Sequence, residues 1–268
     1  MSIAENDPTN EKILILCRSI PEESTKYFQT VCVAGVTDQR ELRRLYPVQF
    51  KPFQPNAGIP FRKKDWIQVV TSPPDDGRDR RRESRKIHMD TVKVLRRVSD
   101  QELHHTIRPL ISPSVKSVEE TGASLGLVKP KILDYQLDII STSLVDDQLQ
   151  ITPEGFLAPK GMIKLGQESS YTFVCEEQSN YTCKNQPHRM RILDWEVNEL
   201  YRNIIRRTTN PVEITLKMKE KMFHWMRNER LTYFMVGTHH RWKTWMVVSV
   251  LYFKRDLSES LEDFLDVD

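Results

Sequence analysis

Two cysteines and a histidine stand at a spacing that could hold a metal ion. Cys175, Cys183 and His188 follow the pattern Cys-x7-Cys-x4-His, and thiolate sulfur and imidazole nitrogen are ligands that zinc accepts. The three residues provide at most three ligands of a tetrahedral structural site, and their spacing matches no standard zinc finger. Free cysteines are also commonly small buried hydrophobic residues. A structural zinc site and a metal-free buried cluster are therefore both open interpretations.

Three segments combine basic side chains with aromatic rings or histidines, a combination that suits contact with a polyanion. Lysine and arginine neutralise phosphates, and aromatic rings stack on bases. We therefore predict a nucleic-acid interface, with core or solvated positions as the alternative, and with partner-protein contact as a further alternative for the last segment. The candidates are Arg43, Arg44, Tyr46, Lys63, Lys64 and Trp66, then Arg78, Arg80, Arg81, Arg82 and Arg85, and finally His239, His240, Arg241, Trp242 and Lys243.

Arg43 and Arg44 are adjacent within the predicted strand ELRRLYPVQF. Adjacent strand residues face opposite ways, so one arginine should point off a barrel wall and the other into the barrel or along its rim. We expect the outward one to contact phosphates.

Acidic residues cluster in the segment DWEVNE. Asp194, Glu196 and Glu199 could belong to a metal-dependent nuclease, but that chemistry needs carboxylates brought together from separate elements. Acids near a helix start favour the helix dipole, and Glu199 with Arg202 has the spacing of a helical ion pair. We name no catalytic residue and expect a protein that is not an enzyme, with a nuclease as an alternative.

The composition is that of an ordinary globular chain with an uneven charge distribution. Its 268 residues carry a formal net charge of +3, but residues 36–97 hold 16 Lys/Arg against 8 Asp/Glu and residues 184–243 hold 13 against 6. The two basic segments could form one electrostatic face assembled from both halves, or two separate solvated surfaces. No apolar run is long enough for a membrane span, no secretory signal stands at the N-terminus, and the four cysteines are too scattered for a disulfide framework. We expect a cytoplasmic protein that does not contact membranes.

The elements that would position these residues are short strands, then helices, then strands again. This order predicts an α+β fold with antiparallel sheets, in which one or two small β-barrels carry helical inserts. We divide the chain into a flexible N-terminus (1–11), a barrel domain with a helical insert (12–123), a C-terminal α+β domain that would be a second such barrel (124–254) and an acidic flexible tail (255–268). The segment RMRILDWEVNELYRNIIRR is predicted to be one helix, since Leu193, Val197, Leu200 and Ile204 form an apolar stripe.

Several short motifs carry a family resemblance over most of residues 12–254. The strand at 12–16, the segment CVAGVT, the strand RLYP and the segment KDWIQVV resemble the first half of bacterial dual-OB-type nucleic-acid-binding proteins. The chain is also similar to an uncharacterised bacterial family that continues with SLGLVKP, Cys…Cys…His…DWE and a final hairpin containing VGT. It departs from the dual-OB pattern at Leu42, where a tryptophan would stand. The resemblance implies OB-like barrels that bind nucleic acid and implies no reaction.

The combined prediction is a non-catalytic protein that binds single-stranded DNA or RNA within a larger bacterial complex. A structural or adaptor subunit of a multiprotein assembly would use the same surfaces against proteins. The predicted cofactor is none, with structural zinc at the Cys/His cluster as the exception.

Overall fold

The computed structural model describes residues 8–24, 28–51, 58–74, 79, 81–140, 149–151, 157–159, 166–175, 183, 186–239 and 243–255. Within these residues the fold is mixed α+β and mostly strand, which confirms the predicted fold class at this level.

Five strands of the N-terminal half form a closed barrel. They are β1 (Thr9–Arg18), β3 (Phe28–Thr37), β4 (Leu42–Gln49), β5 (Asp65–Ser72) and β6 (Ser84–Ile87). The sheet runs β1-β3-β4-β6-β5, and β5 pairs back with β1 to close it. The β4–β6 pair is parallel and the other pairs of the barrel are antiparallel. Two further strands attach at its edges, β2 (Glu22–Ser24) to β3 and β7 (Lys93–Arg97) to β5.

The barrel is filled by alternate residues of its strands, as the two-residue period of a strand requires. Ile13 and Ile15 of β1 and Leu45 of β4 belong to this inner cluster and are at most 1% exposed. β1 and β3 approach closely at Gly35, where a Cβ atom would lie 2.4 Å from the Leu14 carbonyl oxygen. Glycine is therefore required at this position by backbone contact.

The C-terminal half consists of small sheets and helices. A four-stranded sheet runs β16-β15-β9-β8, a three-stranded sheet runs β10-β13-β14, and β11 pairs with β12. The strands are β8 (Ile111–Ser112), β9 (Leu125–Val128), β10 (Pro130–Ile139), β11 (Leu149–Ile151), β12 (Leu157–Pro159), β13 (Gln167–Cys175), β14 (His188–Arg191), β15 (Arg230–Thr238) and β16 (Trp245–Lys254). The helices are α1 (Asp100–Ile107), α2 (Val115–Glu120), α3 (Trp195–Ile205), α4 (Pro211–Lys219) and α5 (Met226–Asn228), with a π-helical turn at Glu220–Trp225 and 3-10 turns at Met89–Thr91 and Arg108–Leu110.

The two halves share a hydrophobic core. The outward residues Leu14 and Leu16 of β1 pack in one cluster with Leu127, Met235 and other residues of the four-stranded sheet. One wall of the barrel is therefore covered by the C-terminal half. This contact decides which barrel residues can reach a ligand.

The long helix predicted over DWEVNE is shorter than expected. Residues His188–Arg191 form strand β14 against β13, and the helix begins only at Trp195. Asp194 caps it, because its side chain accepts a hydrogen bond from the Glu196 amide at 2.9 Å. Pairing with a neighbouring strand overrode the local helical pattern, which extended without a break through the cap.

Candidate nucleic-acid interface and metal centre

Arg43 lies at one end of the barrel interior. It is on the same side of β4 as the core residue Leu45, two positions further along. Its Nε donates to Glu11 Oε1 at 2.8 Å, and it also pairs with Glu41. The Thr71 hydroxyl donates to the same Glu11 carboxylate. Arg43 is thus held by two carboxylates at the rim, which is one of the two positions that the strand pattern predicts.

Arg44 points off the barrel wall, as predicted for the second arginine, but it does not reach solvent. Only 3% of it is exposed, because the C-terminal half covers this side of β4. Its guanidinium donates to the Ser124 carbonyl and lies against Gly237, and burial lowers its pKa. The expectation that the outward arginine is free for phosphates is therefore corrected.

Lys63 is also buried, which corrects its predicted surface position. Its ammonium lies 3.0 Å from carboxylate oxygens of both Asp194 and Glu196 and 3.5 Å from the Val250 carbonyl oxygen. Burial by itself would lower the pKa of Lys63, but the two carboxylates more than offset it and raise that pKa above its ordinary value. The lysine joins the barrel to the C-terminal half.

Asp194, the first residue of the DWE motif, has a structural role. Its carboxylate is 1% exposed and accepts hydrogen bonds from the Ser249 hydroxyl at 3.1 Å and the Val250 amide at 2.7 Å, besides Lys63. This carboxylate therefore holds the start of α3 against β16 and the barrel.

The other candidates of the first segment divide between surface and interface. Tyr46 is 45% exposed on β4. Lys64 forms an ion pair with Asp100, and 30% of its side chain is exposed. Trp66 is partly buried against the core shared by the halves. Only Tyr46 thus has the open aromatic position that stacking requires.

The Arg-rich segment is the connection between β5 and β6. Arg78 and Arg80 lie outside the described residues. Arg81 is held by the Asp79 carboxylate, with Nε–Oδ1 2.8 Å and Nη2–Oδ2 2.6 Å. Arg82 is exposed, and Arg85 donates to the carbonyls of Arg82 and Ser84.

The hairpin between β15 and β16 lies beside this connection. Arg81 Nη1 donates to the Thr238 carbonyl at 2.8 Å. His239 is half-buried and Lys243 is exposed, while His240, Arg241 and Trp242 lie outside the described residues. Two basic segments whose contacting residues are 157 positions apart in the chain are therefore adjacent. We call their described residues Arg81, Arg82, Arg85, His239 and Lys243 the composite basic surface.

The Cys/His cluster comes together as the spacing predicts. The ligand atoms of Cys175, Cys183 and His188 all lie within 4.8 Å of one another, and Cys183 Sγ is 3.3 Å from His188 Nε2. Both cysteines are buried, and the Val115 amide donates to Cys175 Sγ at 3.4 Å. Burial lowers the pKa of His188, which favours the neutral imidazole that binds metals. Among the described residues this is the one group of three or more His, Cys, Asp or Glu side chains able to hold a metal ion.

Two family models match overlapping parts of the chain. Residues 104–267 match the model described as Domain of unknown function (DUF8757). The chain belongs to the DUF8757 family. Residues 9–113, which include the barrel, match a second model, described as Domain of unknown function (DUF8758). A comparison with curated proteins finds no match.

The DUF8757 region also contains a partly exposed cation–aromatic cluster that no sequence pattern indicated. Lys221 and Arg230 stack on Trp225, and Lys219 and Arg227 contact the neighbouring Phe223. These four cations are spaced along a helix and the start of β15 in the way that ordinary solvated charges are. Nothing in the sequence therefore distinguishes them from other surface lysines and arginines. In the part of the DUF8757 and DUF8758 regions that the structure describes, no helix is both long and apolar enough to cross a bilayer.

Proposed function

We propose that the chain binds single-stranded nucleic acid through an OB-like barrel and the composite basic surface. The observation that carries this proposal is the Arg81–Thr238 hydrogen bond, which brings the Arg-rich connection and the C-terminal hairpin together. A basic surface drawn from two distant segments suits the tracking of a phosphate backbone.

The order of the barrel strands supports the OB-like description. Counted along the chain, the five strands pair in the order first, second, third, fifth, fourth, with closure from fourth to first. OB folds bind oligonucleotides on the face of their second and third strands and with the connection between their fourth and fifth strands. In this chain that connection is the Arg-rich segment.

Tyr46 is the aromatic residue best suited to stack on a base. It lies on the third barrel strand, one position after Leu45, which pairs with Arg85 of β6. Adjacent strand residues face opposite ways, so Tyr46 lies on the other face of β4 from Leu45, and it is 45% exposed there. Arg44 and Lys63 take no part in this proposal, because the C-terminal half buries both side chains.

The proposal is tested by fluorescence anisotropy with labelled single-stranded DNA, duplex DNA and single-stranded RNA across a salt series. Arg82→Ala/Lys243→Ala should reduce the slope of log K against log salt by about 1.4, since each lost phosphate contact on a single strand contributes roughly 0.7. Tyr46→Ala should cost about 1–3 kcal/mol of binding free energy.

The matched control is Lys116→Ala/Lys217→Ala, which removes the same charge from exposed helical ion pairs elsewhere. Equal losses in both double variants would refute the assigned surface. No binding to any nucleic acid would favour the structural or adaptor subunit, and magnesium-dependent cleavage would favour the nuclease.

A second function, structural zinc binding, is favoured by the position of the Cys/His cluster. Cys175 is the last residue of β13 and His188 is the first of β14, with Cys183 in the connection between them. A tetrahedral ion bound by two thiolates and one imidazole would fasten this connection to the two strands. Zinc accepts these donor types, and their ligand atoms all lie within 4.8 Å of one another; a group outside these three residues would supply the fourth ligand.

We expect one zinc ion per chain by elemental mass spectrometry and a lower melting temperature after chelation. The Cys183→Ser variant should contain no zinc, and chelation should not change its melting temperature, because two ligands do not hold zinc tightly. Cys32→Ser, which changes a half-buried cysteine in the barrel, should retain both. A protein that takes up no zinc at equimolar metal would refute the site.

A further inference from the structure

In the cation–aromatic cluster, basic side chains are stacked on aromatic rings. Lys221 Nζ lies 3.2 Å from the centroid of the Trp225 ring, and Arg230 Cζ lies 4.1 Å from it. Trp225 belongs to the π-helical turn Glu220–Trp225, a geometry that is frequent at functional sites. One ring therefore holds two cations by cation–π contact.

Phe223 extends the same surface by two more cations. Lys219 Nζ and Arg227 Cζ lie 5.7 Å and 5.6 Å from its ring centroid. Among the described ion pairs, Lys219 with Asp134 at 3.4 Å is the one that involves any of the four cations. Arg230 Nε is buried without a hydrogen-bond partner among the described atoms. We call Lys219, Lys221, Phe223, Trp225, Arg227 and Arg230 the cationic platform; within the described residues, three of its four cations form no ion pair with a carboxylate.

The chain leaves its last strand at the edge of this platform. Tyr252 of β16 is 40% exposed, and its ring lies 5.3 Å from that of Trp225. Arg255 Nη2 donates to the Arg227 carbonyl at 2.7 Å. Arg255, which directly precedes segment 256–268 in the chain, is therefore held beside the platform.

We propose that the acidic segment 256–268 binds the cationic platform of its own chain. Its sequence, DLSESLEDFLDVD, holds six acidic residues and no basic one, with Leu257, Leu261 and Phe264 among them. The carboxylates would pair with the platform cations, and the apolar side chains would contact the edges of Phe223, Trp225 and Tyr252. A short tether gives an effective concentration on the order of millimolar, so weak individual contacts suffice. The proposal is independent of nucleic-acid binding by the barrel.

Zero-length carbodiimide cross-linking of the full chain, read by mass spectrometry, tests this contact directly. Carboxylates of segment 256–268 should couple to Lys221 or Lys219 at least about tenfold more than to the exposed Lys93, because tethering raises the local concentration of the acids. Lys221→Arg keeps the charge but removes the reactive amine, and should shift coupling to Lys219. A mixture of isotopically light and heavy chains separates coupling within a chain from coupling between copies.

Each outcome decides the proposal. Coupling that is equal at Lys93 and Lys221, or absent at both platform lysines, would overturn it, and coupling only between light and heavy chains would assign the platform to a second copy. Replacing the six acids by their amides should abolish the coupling and increase hydrogen exchange over the π-helical turn. If this variant instead leaves exchange there unchanged, while single-stranded DNA protects the same turn, the platform belongs to nucleic acid.

Discussion

At the scale of single residues, the function of an arginine in this chain depends on what covers it. Arg43 and Arg44 are neighbours with the same chemistry, yet one is held by carboxylates at the barrel rim and the other is buried under Ser124 and Gly237. Burying a guanidinium is costly unless its donors are satisfied. Gly237 admits Arg44 because it has no side chain: a Cβ atom there would lie 2.5 Å from Arg44 Nη2.

Gly237→Ala should therefore destabilise the protein by about 1–3 kcal/mol, the usual cost of overpacking. The measurement is the free energy of unfolding in a denaturant titration. Combining it with Arg44→Ala should cost less than the sum of the two single changes, since the clash is then removed. Strict additivity would show that the two residues do not interact.

At the scale of elements, buried polar contacts determine how the barrel and the helices meet. Lys63, which lies two residues before β5, reaches the cap of α3 through Asp194, and the same carboxylate binds the Val250 amide of β16. Three elements thus depend on the ion pair of Lys63 with Asp194, whose side chains are 7% and 1% exposed. Breaking such a pair by removing one partner leaves an uncompensated charge.

Lys63→Met should cost about 3–5 kcal/mol of unfolding free energy, whereas the neighbouring Lys64→Met should cost at most about 1 kcal/mol, the range for an exposed pair. Thermal and denaturant unfolding of the two variants provide the comparison. The variants are matched because both replace a lysine by methionine at neighbouring positions. Similar losses in both would contradict a special role for the buried contact.

At the scale of the whole molecule, the barrel and the C-terminal sheet share one apolar cluster. Leu16 of the barrel and Met235 of β15 are both fully buried within it. Separating the halves would expose this cluster, and hydrophobic burial is the main favourable term in folding. The two matched family regions, 9–113 and 104–267, are therefore expected to unfold together.

Hydrogen exchange under mild denaturant should show β5 and β16 opening with the same free energy. Met235→Ala should lower both by about 2–5 kcal/mol, the range for truncation of a core side chain. Val212→Ala, at a position that is 66% exposed, is the control and should change neither. A loss of protection in β16 alone would show two independent units.

The sequence by itself determined the local features of this protein. Strand alternation predicted opposite directions for Arg43 and Arg44, turn spacing predicted the small barrel, and Cys175, Cys183 and His188 were recognisable as a ligand set by type. These features depend on a few neighbouring residues, whose periodicity and chemistry are visible in order along the chain.

Tertiary structure alone decided which of these residues are accessible and which of them meet. Burial of Arg44 and Lys63, the contact of Arg81 with Thr238, and the stacking of Lys221 and Arg230 on Trp225 all depend on residues that are distant in the chain or on the precise angle of an element. β14 replaced the start of a predicted helix because pairing with β13 outweighed local propensity, which is a weak preference per residue. The burial of Arg44 and Lys63 and the contact of Arg81 with Thr238 come from packing the two halves against one another, and no short stretch of sequence encodes them.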